Sequence, residues 1–366
     1  MGQTYAVKRR WRFYSIGDYM DIAYLRSSSY GTWSMCPQQY FFQYVLGYNG
    51  DSNKKADKGT IVHKVMEILA FVQLALQNKE GSFEDDIAGY VNVHNYTVDD
   101  LTQKVYDYYT SAFTHHKWTD IDYRDCRKWI QKCLEQNNGM LDPRNQHIIQ
   151  PEQRFDIAIE KPWAYYDFID ANGERIQGQL AIKGTIDLIT KVDDNTYEIT
   201  DYKTGRRLDW ATGEEKTINK LQRDPQLMLY YYAIQHLYPE AKNIIVTINF
   251  INDGGIFSLC FDKSDLFKME MMLRARFEEI KNCKVPRLKK SWKCTKLCDF
   301  GKKSFAGTNH KPMIEYREDQ ETEVGCEMTM CEQVKHDIRM HGMGETVKLY
   351  QVEGYNVAKY RAPGST

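Results

Sequence analysis

Apolar and polar positions divide the chain into a mostly helical first part, a strand-rich middle and a mixed remainder. Up to about residue 55 the sequence runs through Tyr- and Phe-rich apolar stretches. Between residues 60 and 76 apolar side chains fall at Ile61, Val62, Val65, Met66, Ile68, Leu69 and Phe71. That is helical spacing and predicts a helix starting near Lys58. Residues 99–113 and 121–134 read as two further helices, so the chain is mostly helical up to about residue 147. Residues 153–159 alternate as a strand does. Apolar runs at 180–182 and 186–189, interrupted at Lys183-Gly184, precede the polar Asp193-Asp194-Asn195, and a second run follows at 197–202. Two strands around a polar turn is the arrangement this predicts. A helix over 225–237, a hairpin of 244–251 and 255–261, a helix over 264–281 and a short helix near 331–340 complete the pattern. There is no internal repeat and no low-complexity segment.

The central hairpin carries the chemistry. Asp201 and Lys203 are two apart, so on a strand they share a face, and Asp187 on the neighbouring strand can converge with them. Hard carboxylate oxygens beside an ammonium suit a divalent cation such as magnesium or manganese with a polarised water. The alternative is a solvated ion pair on a surface hairpin, because Asp-x-Lys alone is unspecific. Two other polar pairs sit at helical spacing: His63 with Glu67, and Gln226 with Tyr230. Read singly, His63 is a structural histidine, Tyr230 a core aromatic and Gln226 part of a helix start after Pro225.

Composition narrows the class. The 366 residues are 42% hydrophobic and 27% charged, which excludes a disordered or fibrous chain. A net charge of -1 does not advertise nucleic acid, yet an enzyme that grips phosphates through metals and a local groove needs no global positive charge. Basic residues crowd the stretch 281–303, with Trp292 and Phe300 among them. It reads either as a solvated loop or as a backbone-contacting strip with an aromatic stacking platform. The first residues lack a signal-type apolar region, no later run has the length to cross a bilayer, and Ala6 stands where myristoylation needs Ser or Thr. A cytoplasmic location without membrane attachment is therefore expected. In such a reducing compartment the nine cysteines need a purpose other than disulfides, and metal ligation is the leading one.

Taken together, Gly59-x-x-x-His63-x-x-x-Glu67, Gly184-x-x-Asp187, Asp201-x-Lys203 and Gln226-x-x-x-Tyr230 resemble the PD-(D/E)XK nuclease superfamily. The likeness is to its RecB-like exonuclease branch, which includes AddB-type and CRISPR-associated nucleases. The resemblance implies metal ligation by His63, Asp187, Asp201 and the Tyr202 carbonyl. It gives Lys203 the task of orienting the attacking water and stabilising phosphate charge, and it turns Gln226 and Tyr230 toward the nucleic acid. Glu67 would orient His63 or a water. An ammonium beside two carboxylates stays protonated, which favours an electrostatic role over that of a general base.

A second resemblance concerns cysteines. Iron-sulfur members of this branch join one N-terminal cysteine to three near the C-terminus. Cys36-Pro37 and Trp292-Lys293-Cys294-Thr295-Lys296-Leu297-Cys298 look like those two segments, which implies a [4Fe-4S] cluster stapling remote parts of the chain. The spacing here is Cys-x-x-x-Cys, and no cysteine stands near Ser304. Cys331 is the candidate fourth ligand, followed by Cys326 and then His310, and a zinc site built from the same thiolates is the alternative. Cys126, Cys133, Cys260 and Cys283 read as ordinary buried or partly buried thiols.

The fold expected is α/β: a mixed central sheet flanked by helices, a restriction-endonuclease-like core, with a helical insertion and a cluster-bearing C-terminal segment. Its parts are 1–57 with the first cluster cysteine, 58–150 with the His63 motif, 151–262 as nuclease core and 263–366 as C-terminal helix and tail, integrated as one catalytic domain. The implied activity is metal-dependent hydrolysis of DNA, exonucleolytic on single strands or ends. No P-loop motif is present, so a helicase or recombination partner would be a separate polypeptide. The rivals are a silent nuclease-like scaffold that grips DNA, and a zinc-stapled module that acts through protein contacts.

Overall fold

The computed structural model describes residues 20–50, 52–170, 173–209, 211–301 and 329–357. A short strand β1 (Tyr24–Leu25) leads into helices α1 (Ser27–Met35) and α2 (Pro37–Tyr40), the latter running into a π-helical turn at Phe41–Val45. The long helix α3 (Lys54–Gln77) is followed by a hairpin of β2 (Ser82–Asp85) and β3 (Gly89–Asn92), then by α4 (Val98–Ala112) and α5 (Asp120–Glu135). The strands β4 (Ile148–Ala158), β5 (Tyr165–Ile169), β6 (Arg175–Gln179), β7 (Ala181–Asp193) and β8 (Thr196–Lys203) come next, then the short α6 (Ile218–Leu221) and α7 (Pro225–Leu237). The hairpin β9 (Asn243–Phe250) and β10 (Gly255–Phe261), helix α8 (Lys263–Lys281), and the shorter α9 (Trp292–Lys296), α10 (Met330–His341) and α11 (Met343–Tyr350) finish the order.

Six strands make one mixed sheet in the order β1-β7-β8-β9-β10, with β4 on the other edge of β7. Pairing is parallel for β1 with β7 and for β8 with β9, and antiparallel for β4-β7, β7-β8 and β9-β10. This is the mixed sheet flanked by helices that the sequence predicts. The period-2 pattern assigns its faces. Tyr197 and Ile199 of β8 belong to one core cluster with α7, α8 and the C-terminal helices, while Tyr202 belongs to a second with α3, α4 and α5. Asp201 and Lys203 therefore lie on the α7 face.

Several expectations change in detail. The interruption at Lys183-Gly184 does not break the strand, since β7 is continuous through it. Gly184 stands directly opposite Phe155 of β4, and a Cβ there would lie 2.5 Å from the Phe155 ring. The glycine makes room for an aromatic that covers the strand. Strands β1, β2, β3, β5 and β6 had no clear signal, being short or half exposed. Helix α3, contrary to the sequence reading, has the length and apolar content of a membrane-crossing segment. Its Ile61, Val62, Val65, Ile68 and Leu69 are spent instead on the second core cluster, as in the core helix of a globular domain.

Gly184→Ala is expected to lower stability by about 1–3 kcal/mol through overpacking against Phe155. The measurement is the urea midpoint, and an unchanged midpoint would show that the ring yields freely.

Candidate functional site

The site forms where β7 and β8 part. Their pairing ends at Leu188 and Thr200, and β1 takes up the same edge of β7 only at Ala181 and Ile182. Beyond Thr200, β8 continues against β9 alone. Into this fork Asp187 turns its carboxylate, and its Oδ2 accepts a 2.8 Å hydrogen bond from the Tyr202 backbone N–H. The side chain thus supplies the acceptor that a continued β-ladder would have supplied.

On the α7 face, Lys203 Nζ donates to Asp201 Oδ1 at 2.9 Å and lies 2.8 Å from Oδ2. Gln226 Nε2 reaches the same Oδ1 at 2.9 Å, and the Tyr230 hydroxyl does so at 3.2 Å. Gln226 also donates to the Tyr230 hydroxyl at 2.8 Å. The aim of this pair is set by the start of α7, where Asp224 caps Gln226 N at 2.9 Å and Pro225 occupies the first turn. Gln226 and Tyr230 thus brace Asp201, with Tyr230 buried in the core. Asp201 Oδ2 is buried, with the Lys203 ammonium as its near neighbour.

The third wall is α3. Gly59 lets the helix approach the end of β8, for a Cβ there would sit 2.8 Å from Thr204 Oγ1. One turn on, His63 Nδ1 lies 3.3 Å from Asp187 Oδ2. Glu67, expected to orient His63 or a water, pairs with Lys64 at 3.1 Å. Lys64 is also within 2.8 Å of Asp85 and of Asp86, which pins the β2-β3 hairpin to the helix. Helix α3, β4, β7 and the end of β8 line a cleft of about 760 Å³ that includes His63, Glu152, Arg154, Asp187 and Lys203, with Phe71 and Tyr109 on its helical side.

Glu152 is the residue that the sequence reading missed. It sits on β4 between Pro151, which pairs with Leu188, and Gln153, which pairs with Ile186, and so lies across from Asp187. Its φ of 45° is left-handed for a residue with a side chain, a strain of the kind that persists where a site demands it. The one signal was Pro151, since proline inside a strand marks an edge or bulge. Donor atoms of His63, Glu152 and Asp187 all lie within 4.8 Å of one another. An imidazole with two carboxylates fits a divalent cation.

Electrostatics separates these groups. Burial opposes charge on His63, but Asp187 outweighs it and takes the imidazolium up to about 9. Burial together with Asp187 and Glu67 pushes Glu152 up to about 8. Burial raises Asp201, with Asp187 adding to the rise against Lys203. Asp187 moves down despite burial, held by His63, Lys203 and the Tyr202 N–H. Lys203 moves up despite burial because Asp201 and Asp187 face it.

The cysteines divide as well. Cys298 and Cys331 share a thiol hydrogen bond that lowers Cys298 to about 7 and raises Cys331, with Cys36 and Cys294 near enough to add to that rise. The N- and C-terminal segments meet around them: Phe42 stacks on Phe300 at 4.5 Å, and Val352 N donates to Leu46 O at 2.8 Å. Phe300 is therefore buried, not a stacking platform, while Trp292 is 63% exposed. Cys126 and Cys133 are buried and Cys283 is half-buried, but Cys260 is exposed, against expectation. Cys326, His310, Ser304, Lys302 and Lys303 lie outside the described residues.

Comparison with known proteins adds to this geometry. The family model described as the PD-(D/E)XK nuclease superfamily matches residues 27–302. No curated protein matches the sequence. Among solved structures, a crystal structure from Eubacterium rectale described as a candidate exonuclease is similar at 10% identity and a TM-score of 0.42, covering 87% of this chain and 100% of its own.

The shifted groups give a signed pH dependence. At pH 7 and without metal, His63 (about 9) and Glu152 (about 8) both carry protons, and both must lose them to ligate. Manganese affinity should therefore rise between pH 7 and 9, with protons released at pH 7. Calorimetry in buffers of different ionisation heats measures the count, and Glu152→Gln should lower it by about one. Glu152 has a folded pKa raised from 4.5, so its effect on metal-free stability worsens as pH rises from 4.5 through about 8. Glu152→Gln should accordingly gain more stability at pH 8.5 than at pH 5, and the reverse order would refute the assignment.

Proposed function

The chain belongs to the PD-(D/E)XK nuclease superfamily, and from that premise we propose that it is a divalent-metal-dependent DNA nuclease of the RecB-like exonuclease branch. It acts on single strands or DNA ends, in the cytoplasm, alongside a separate helicase or recombination protein. The observation that carries this reading is the meeting of Asp187, Asp201, Lys203, His63 and Glu152 from four elements at one strand fork.

His63, Glu152 and Asp187 would hold magnesium or manganese, with Asp201 and the Tyr202 carbonyl as further candidate donors. Bound metal supplies an activated water and neutralises charge on the phosphate. Lys203 presents an ammonium to the scissile phosphate. Its two neighbouring carboxylates keep it charged, so it stabilises the anionic transition state and does not abstract a proton. Gln226 and Tyr230 are positioning residues: both donate to Asp201 Oδ1 and fix the carboxylate, whose Oδ2 faces the Lys203 ammonium. Arg154 and Lys203 are cleft cations that can meet backbone phosphates, while the cleft's carboxylates need metal to admit a polyanion.

The same proposal includes a [4Fe-4S] cluster on Cys36, Cys294, Cys298 and Cys331. Its support is the contact of Cys298 with Cys331, the nearness of Cys36 and Cys294 to Cys331, and the lowered Cys298, which favours the thiolate that a cluster requires. Such a cluster would close the N- and C-terminal segments around the sheet.

End-labelled single- and double-stranded DNA, incubated with magnesium or manganese, should be degraded. Asp201→Ala and Lys203→Ala should each slow cleavage at least ~10²-fold, the scale for removing an electrostatic catalytic group, with unchanged far-UV dichroism. Cleavage retained in both variants would reject the site. Protein purified without oxygen should show thiolate-to-iron absorption that Cys298→Ser abolishes, whereas a colourless protein that loses one equivalent of zinc on Cys298→Ser would replace the cluster by a zinc site.

A further inference from the structure

A second cluster of metal-type donors stands outside the cleft, on the side of α3 that faces the turn between α4 and α5. Asp57, in the first turns of α3, is buried. Its Oδ2 lies 2.8 Å from His116 Nε2 and 3.6 Å from His115 Nε2. Donor atoms of all three lie within 4.8 Å of one another. His115 Nε2 is also 3.3 Å from the Ser52 carbonyl oxygen and 3.4 Å from Ser52 Oγ. The nearby lysines are engaged elsewhere. Lys54 pairs with Asp122 and donates to Lys117 O, and Lys58 pairs with Asp125.

Two imidazoles direct Nε2 at one carboxylate oxygen while their rings stand 4.0 Å apart. A divalent ion set among these donors would be held by both imidazole nitrogens and the carboxylate oxygen at once. Zinc bound at about 2.0–2.1 Å in a tetrahedron sets its ligands roughly 3.3–3.4 Å apart, and the separations between 2.8 and 3.6 Å straddle that edge. Two imidazole nitrogens and one carboxylate form a donor set for zinc, softer than magnesium prefers.

We propose that Asp57, His115 and His116, completed by Ser52, form a zinc site that clips the α4-α5 turn to the start of α3. The site is separate from the cleft and independent of the nuclease reading. Its effect would reach the cleft mechanically, because His63 lies six residues along the same helix, about 9 Å at 1.5 Å per residue.

The test compares tightly bound zinc in wild type, His115→Ala, Asp57→Asn and the double variant Glu152→Gln/Asp187→Asn, each dialysed against excess magnesium with limiting zinc. One equivalent fewer is expected in His115→Ala and Asp57→Asn, with zinc binding at least tenfold weaker, and no loss in the double variant. The cysteines are common to all four proteins and cancel in the difference. Zinc should also raise the melting temperature of wild type but not of His115→Ala, whose side chain is at the surface and whose zinc-free melting should match wild type. Equal zinc in wild type and His115→Ala, or loss of the same equivalent in the cleft double variant, would overturn the assignment.

Discussion

The hydrogen bond from the Tyr202 N–H to Asp187 allows the rest of the site to exist. Parting two strands in the middle of a sheet strips backbone groups of their partners, at a cost of ~1–3 kcal/mol for each buried group left unmet. Asp187 meets that cost with its own carboxylate, and the same Oδ2 faces His63 from α3. The fork is thus both opened and sealed by one residue. The cleft lies where, among the described residues, β7 has no strand partner between Ile182 and Leu188 on that edge.

A group of carboxylates in one enclosed space cannot all ionise without compensation. The protein divides the load. Asp187 is held low by His63, Lys203 and a backbone donor, whereas Asp201 and Glu152 are pushed up by burial and by the neighbouring charge. Protonated His63 and Glu152 are what remains when no cation answers the charge. Neighbouring titratable groups driven apart in this way are a mark of sites that handle charge. The expense is borne by two apolar clusters on opposite faces of the sheet, with α3 buried in one and α7 in the other.

The two ends of the described chain are drawn onto the same body. Phe300 stacks on Phe42, Gln351 donates to Val45 O, and the Tyr355 hydroxyl donates to Tyr44 O. These contacts bring α2, α9 and α10 together and place four cysteines from three segments near one another. Burial of Phe300 is part of this closure, which is why an aromatic in a basic stretch turned inward.

Periodicity alone fixed the long elements. The helix over 225–237 and the hairpin around Asn252-Asp253 stand where the pattern put them, because a buried face leaves a regular mark in sequence. Short edge strands such as β1 leave no such mark, since two residues have no period. The motifs around His63, Asp187, Asp201 and Lys203 were legible because side chains fixed to one helix or one hairpin keep their spacing. Glu152 was not. Its place beside Asp187 comes from the register of β4 against β7, a contact across more than thirty residues of chain that local spacing does not encode. Nor did spacing tell that Gln226 and Tyr230 would turn to Asp201, or that Asp57 would meet His115 and His116. The sequence determined which groups each element could offer; packing α3, α7 and β4 around one fork decided which of them met, because strand register and helix docking are settled by the buried surfaces of the whole domain.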